Sequence, residues 1–305
     1  KRAVMFVSNY DYYVLINGVE GNGEWETIGK ENKEGNLTLE NCLSYDEIKL
    51  SAFLSVSSYS YFVNDGSRRN GGVTAANRSN LQEEGIVIGL IGARMRKRGF
   101  MEYQDIVIDQ KQNTEANGYG TVSDIYFDNI TFAKRIAISI DTLLFEANHR
   151  AKEKNTTAFV HVVGIGLGVW KCSVHQEEIF LETFVKRIES LGKYLHNISD
   201  IHFAYFKSST TCGKYVPGSQ IPIEDHTNGG IKIFISERQP HEALEGDYKE
   251  KLLVVSYAWD GNALPGNEFW VETLSGSSDS AAACSTQVAE LHNPHINTNR
   301  VPREQ

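Results

Sequence analysis

The apolar residues of this chain follow two different periods. Residues 158–163 (Ala-Phe-Val-His-Val-Val) and 252–259 (Leu-Leu-Val-Val-Ser-Tyr-Ala-Trp) are nearly continuous apolar runs, which predict strands covered on both faces. Shorter runs at 103–108, 119–127, 135–141, 200–206 and 229–236 predict further strands. Elsewhere the period is that of a helix. Ile179, Phe180, Phe184 and Ile188 share one side of residues 176–191. Ile86, Val87, Leu90 and Ile91 do the same for 81–95, where Ser79 and Gln82 supply a capping box. A second capping box, Ser44-Tyr45-Asp46-Glu47, predicts a helix running to about Val56, and the Ala-rich stretch 279–291 predicts a last one. Strands alternating with helices define an α/β fold with a mostly parallel or mixed sheet. Residues 1–45 read as an N-terminal extension packed on a core domain formed by 46–305.

Composition narrows the classes. Hydrophobic residues make up 41%, with 14 Tyr, 14 Phe and 4 Trp, enough for a sizeable core. The net charge of −9 argues against a protein that tracks nucleic-acid phosphates or an anionic membrane surface. No apolar run approaches the roughly 18 residues of a membrane-spanning helix. Cys42, Cys172, Cys212 and Cys284 are scattered, with no C-x-x-C, which favours a reducing, cytoplasmic setting over a disulfide framework or a zinc site. The nine histidines have no metal-ligand spacing, and no G-x-S-x-G is present. No metal and no cofactor are therefore expected.

Three segments carry candidate chemistry. The first runs through Asn70, Gly71 and Gly72 to Gln82, Glu83 and Glu84, with Asn64 in the same loop region. Consecutive glycines let the backbone approach a ligand, while acidic residues in a first helical turn also simply complement the helix dipole. The second is Gly164-Ile165-Gly166-Leu167-Gly168-Val169-Trp170, between a buried strand and a helix. Main-chain N–H groups there suit a diphosphate, although the pattern is neither G-x-G-x-x-G nor a Walker loop. The third contains Trp259-Asp260-Gly261-Asn262 at the end of a buried strand, then Pro265 to Trp270, then Asp279 to Thr286. Asp260 is placed for a ribose hydroxyl or a base amine, or for an Asx turn with Gly261. Trp259 suits ring stacking or core packing.

Together these motifs resemble the macrodomain superfamily, its poly(ADP-ribose) glycohydrolase branch, and most closely the MavL-type group. The branch signature of consecutive glycines before Gln-Glu-Glu is matched by Gly71-Gly72 and Gln82-Glu83-Glu84, and the phosphate loop by residues 164–170. Trp-Asp-Gly-Asn at 259–262, Pro-Gly-Asn-Glu-Phe-Trp at 265–270 and Asp-Ser-Ala-Ala-Ala-Cys-Ser-Thr at 279–286 point to the MavL-type group. The resemblance implies a three-layer α/β/α fold with a mixed central sheet and an ADP-ribose site. It also implies hydrolysis of mono-ADP-ribose from a protein side chain, with arginine as the implied linkage and ubiquitin as the implied carrier, in the manner of a bacterial effector acting in the host cytosol. A glycine pair in place of a triplet, and nine residues before Gln82, speak against polymer cleavage.

The chemistry itself asks for carboxyl groups. Cleaving a ribose C1–N bond passes through an oxocarbenium-like state, which needs an acid at the leaving guanidine and a carboxylate for water or for the cation. Glu83 and Glu84, adjacent on the expected helix, cannot face each other. Asp260 is the first candidate for the opposing carboxylate and Asp225 the second. A reader that binds ADP-ribose without hydrolysing it is the alternative, because the fold alone does not decide.

Overall fold

The computed structural model describes residues 12–14, 20–22, 55–62, 75–93, 119–122, 125–168, 170–171, 173, 175–206 and 211–259, with backbone alone at 12–14, 20–22, 119–122 and 125–126. Its centre is a seven-stranded mixed sheet. The strands are β3 (Ser55–Tyr61), β4 (Glu84–Ile91), β7 (Ala158–Val162), β8 (Ile198–Phe203), β9 (Gln220–Pro222), β10 (Gly230–Ile235) and β11 (Leu252–Trp259), in the order β3-β4-β11-β7-β8-β10-β9. The five inner strands are parallel, and β3 and β9 close the two sides antiparallel. Two small antiparallel pairs stand apart: β1 (Tyr12–Val14) with β2 (Glu20–Asn22), and β5 (Tyr119–Val122) with β6 (Ile125–Asp128). The α/β class with a mixed sheet is as the sequence predicts.

Two helices, α1 (Asn129–Glu153) and α2 (Gln176–Leu191), share one face of the sheet. Asp128 starts α1 by accepting from the Thr131 N–H at 2.8 Å and from the Thr131 hydroxyl at 2.6 Å, which satisfies donors that the first turn leaves unpaired. Phe132, Ile136, Ile140, Leu143, Leu144, Ala147 and Ala151 then recur at helical spacing and are buried. They pack on Ile86, Ile88 and Leu90 of β4, Val160 and Val162 of β7, and Val254 of β11. Burying each of the Phe, Ile and Leu side chains stabilises by about 1.5–3 kcal/mol relative to exposure. Asp141 and Arg187 tie α1 to α2 through two parallel bonds of 2.6 and 2.8 Å.

The opposite face carries Val87, Phe159, Leu253, Val255, Tyr257 and Trp259, joined by Phe62 and Leu244. Residues 237–248 cross this face as a strap. It docks beside the start of β4, where the Gln82 N–H donates to His241 O at 2.8 Å and the Ala243 N–H donates to Asn80 O at 2.9 Å.

Three expected elements differ. The expected 81–95 helix is absent over its described part, residues 81–93: β4 occupies 84–91, and its six central residues are all buried. A one-sided helix cannot bury every consecutive position, whereas a central strand does. Its glycines let neighbours come close, since a Cβ on Gly85 would lie 2.7 Å from Leu253 O and one on Gly89 2.4 Å from the Tyr257 ring. Residues 135–141 are helical, inside α1, because a 25-residue stripe of period 3.6 outweighs the local alternation of Arg135-Ile136-Ala137-Ile138. Residues 119–122 and 125–127 belong to two antiparallel strands rather than to one. The expected 44–56 helix lies outside the described residues except for Ser55 and Val56, which are in β3. The 103–108 strand, the 279–291 helix and most of residues 1–45 also lie outside. Among the described residues, only one helical layer is present.

Candidate functional site

Register fixes which residues share an edge of the sheet. Val254 pairs with Ile86, and Leu252 with Ala158, so Glu84, Leu252 and Ala158 begin their strands in one row. Ile91 and Trp259 stand at the far end, about 23 Å away at the usual rise per residue. Ligands of open parallel sheets gather at that far end.

The glycine segment lies there. β7 ends at Val162, and the Val163 N–H donates to the Ser256 hydroxyl at 3.0 Å. The chain then turns twice, Ile165 N–H to Val163 O and Leu167 N–H to Gly164 O, both at 2.9 Å. Gly166 has φ +77°, a conformation that costs glycine little. The turn carries it against the end of β4, where a Cβ on Gly92 would fall 2.5 Å from Gly166 Cα. Ile165 and Leu167 spend their N–H groups within the loop. No acceptor among the described residues takes those of Gly166 or Gly168. Both helices start on this side of the sheet, where Asp128 caps α1 and Glu177 and Glu178 occupy the first turn of α2.

A polar bridge ties the two helix starts together. The Ser173 hydroxyl hydrogen-bonds His175 Nδ1, and His175 Nε2 lies 2.9 Å from Asn129 Oδ1. An amide oxygen only accepts, so Nε2 carries the proton and Nδ1 accepts from Ser173. Burial pushes the His175 imidazole below its ordinary value, against a weaker upward pull from Glu178. These three residues were not singled out from the sequence, and their only signal there is position beside the two helix starts.

The candidate residues divide between the two edges. Gly164, Gly166, Leu167, Gly168 and Trp170 lie together after β7. Trp259 ends β11 on the face opposite the helices and is buried. Glu83 and Glu84 stand at the start of β4, on the opposite edge. Burial alone would raise the Glu84 carboxyl, but hydrogen bonds from Tyr59 and Lys154 outweigh it and hold the group below the usual range. Its bond to Lys154 Nζ is 2.9 Å, at the C-terminal end of α1. Asp225 sits with φ 58° in the turn between β9 and β10, next to His226, which contacts Leu195 O and Ile198 O at the start of β8. The structure therefore does not bring Glu83, Glu84 or Asp225 to the glycine segment. The sequence-based expectation that they do rested on the 81–95 helix and on a strand entry near Asp225. Asn64, Asn70, Gly71, Gly72, Val169, Asp260 and Asn262 lie outside the described residues. Among the described residues, no group of three or more His, Cys, Asp or Glu converges as metal ligands would, and no helix is long and apolar enough to cross a membrane.

The chain matches the MavL-like family, described as ADP-ribosylhydrolase MavL-like, over residues 1–125 and 121–304. It therefore belongs to this family of ADP-ribosylhydrolases, enzymes that hydrolyse glycosidic bonds. Two relatives from Drosophila melanogaster are similar along nearly all of it. ADP-ribosylarginine hydrolase CG2909 is 44% identical over 98% of this chain, and ADP-ribosylarginine hydrolase CG3568 is 45% identical over 97%. The chain spans about two thirds of their lengths, 67% and 66%.

Proposed function

We propose that this protein hydrolyses the bond between ADP-ribose and an arginine side chain, releasing ADP-ribose and unmodified arginine. The observation that carries the reading is similarity at 44–45% identity, along almost the whole chain, to two proteins named ADP-ribosylarginine hydrolases. The far-end geometry supports it: a glycine turn with unspent main-chain N–H groups suits the diphosphate of the substrate.

The reaction adds water across the C1–N bond, giving ribose a C1 hydroxyl and returning a proton to the guanidine. A carboxyl group has to steer these protons. Asp260 is our candidate, as the acidic residue that follows the last residue of β11. Glu83, Glu84 and Asp225 begin or border strands at the other edge and are assigned no chemical step. We further propose ubiquitin modified on arginine as a protein carrier.

The test is incubation with two substrates, an arginine-ADP-ribosylated peptide and arginine-ADP-ribosylated ubiquitin, with free ADP-ribose followed by chromatography. Release from both supports the full reading. Release from the peptide alone overturns the carrier and keeps the reaction. Binding of ADP-ribose without release from either overturns hydrolysis in favour of a reader.

A further inference from the structure

A second cavity lies on the face opposite the helices, beneath the 237–248 strap. It has a volume of about 410 Å³, within the usual range of small-ligand sites. It stands over the strand-start half of the sheet: Phe159, in its lining, is the second residue of β7, about 13 Å along the chain from Val163 and the glycine turn. Its apolar walls are Phe159, Phe234, Leu244 and Tyr248. The Tyr248 ring meets those of Phe159 and Phe234 edge-on, at 76° and 83°, with centroids 5.6 and 6.2 Å apart, so the walls hold one another in place.

The charged groups of the lining are one cation, Arg238, and two carboxylates, Glu242 and Glu245. Arg238 and Glu242 answer one another. The buried guanidinium donates to Gln239 O at 3.1 Å and Glu242 O at 2.5 Å, and the Glu242 carboxylate stands 4.0 Å from its Nε. His202, also in the lining, adds no charge at neutral pH, because burial pushes its imidazole below the ordinary value. Lys232 and Lys251 stand against the Phe234 and Tyr248 rings but do not line the cavity, and Lys251 pairs with the buried Asp200. Glu245 is left over. It is exposed at the start of a single helical turn, residues 246–248, and makes no capping bond there. No cation among the described residues pairs with it.

An apolar pocket with one carboxylate to spare suits a side chain that is apolar along its stem and cationic at its tip. We propose that this cavity takes an arginine side chain of a protein partner, its stem against Phe234 and Leu244 and its guanidinium between Tyr248 and Glu245. Arginine fits better than lysine, because its flat, weakly hydrated head both stacks on a ring and forks onto a carboxylate. The site is separate from the glycine turn, and the inference does not depend on the proposed hydrolase reaction.

The experiment is calorimetric titration of the full chain with a capped Gly-Arg-Gly peptide and with its citrulline counterpart, which keeps the shape and lacks the charge. The wild type, Glu245→Gln and Tyr248→Ala are compared. Glu245 is exposed, so its variant should melt with the wild type and keeps the test decisive if Tyr248→Ala fails to fold. We expect the arginine peptide to bind the wild type about tenfold more tightly than the citrulline peptide, the worth of one charge-assisted contact. Binding should weaken about threefold to fivefold in Glu245→Gln, with the difference shrinking at high salt, and about fivefold in Tyr248→Ala. No binding of the arginine peptide to the wild type, equal binding of the citrulline peptide, or undiminished binding to Glu245→Gln overturns the proposal.

Discussion

Gly92 and Gly166 meet backbone to backbone. A Cβ on Gly92 would stand 2.5 Å from Gly166 Cα and 2.6 Å from its nitrogen, so the end of β4 and the turn after β7 fit only because neither carries a side chain there. The obstacle is main chain, which cannot rotate aside. Gly92→Ala should therefore displace the 164–168 turn, cost about 1–3 kcal/mol in stability as overpacking does, and weaken ADP-ribose binding. Gly168→Ala is the stability control, since no described residue lies within 4 Å of its Cβ position. Thermal melts of the two variants check the stability difference, and ADP-ribose titration of Gly92→Ala against the wild type checks the binding.

The two edges of the sheet make opposite demands on the carboxylates. Glu84 pairs with Lys154 at the strand starts, about 23 Å from the end of β4. Glu84→Gln should leave kcat within about twofold of the wild type, whereas Asp260→Asn should lower it by about 10²–10⁴-fold, the range for loss of a general acid or base. Steady-state release of ADP-ribose from an arginine-modified peptide separates the two. Comparable losses in both variants would return Glu84 to the reaction.

His161 gives stability a pH dependence. It is fully buried, and burial foremost, followed by the nearby Arg238 charge, pushes its pKa to about 3. Its Nε2 lies 2.9 Å from Arg238 O, so the neutral ring donates there. Because the folded pKa lies below the unfolded one, the unfolded chain binds the extra proton first as pH falls. The contribution of His161 is thus complete above about pH 6.5 and is lost on acidification toward pH 3, at a limiting slope of about 1.4 kcal/mol per pH unit. Urea unfolding of the wild type and His161→Gln between neutral pH and pH 4 should show the shallower slope in the variant.

Arg187 and Asp141 join the two helices with a planar fork, each about 30% exposed. Lysine keeps the charge and loses the second bond. Arg187→Lys should destabilise by about 0.5–1 kcal/mol, as for a partly screened pair, and the loss should shrink at high salt. Urea titrations at two ionic strengths measure both effects.

Much of this architecture is legible in the sequence where one period dominates. α2 coincides with the predicted 176–191, because Phe180, Phe184 and Ile188 repeat on one side and little competes with them. β7 and β11 are legible as unbroken apolar runs, and both are central strands. β4 is not, since Ile86, Val87, Leu90 and Ile91 satisfy helical spacing by accident. What decides it is the close approach of Tyr257 and Leu253 to Gly89 and Gly85, a tertiary fact. The same misreading carried Glu83 and Glu84 into a helix start and thus toward the ligand. The glycine turn after β7 was legible because a buried strand led into it. The Ser173, His175 and Asn129 bridge was not, since it joins residues 46 positions apart that only the packing of α1 beside α2 brings together.

The central claim is that the diphosphate of ADP-ribose sits on the turn after β7. A crystal structure of the protein with ADP-ribose tests it most directly. The account expects phosphate oxygens within about 3.2 Å of the amide nitrogens of Gly166 or Gly168, with the ribose beyond the end of β11. A diphosphate seated at the strand starts near Glu84, or beneath the strap beside Arg238, would contradict it.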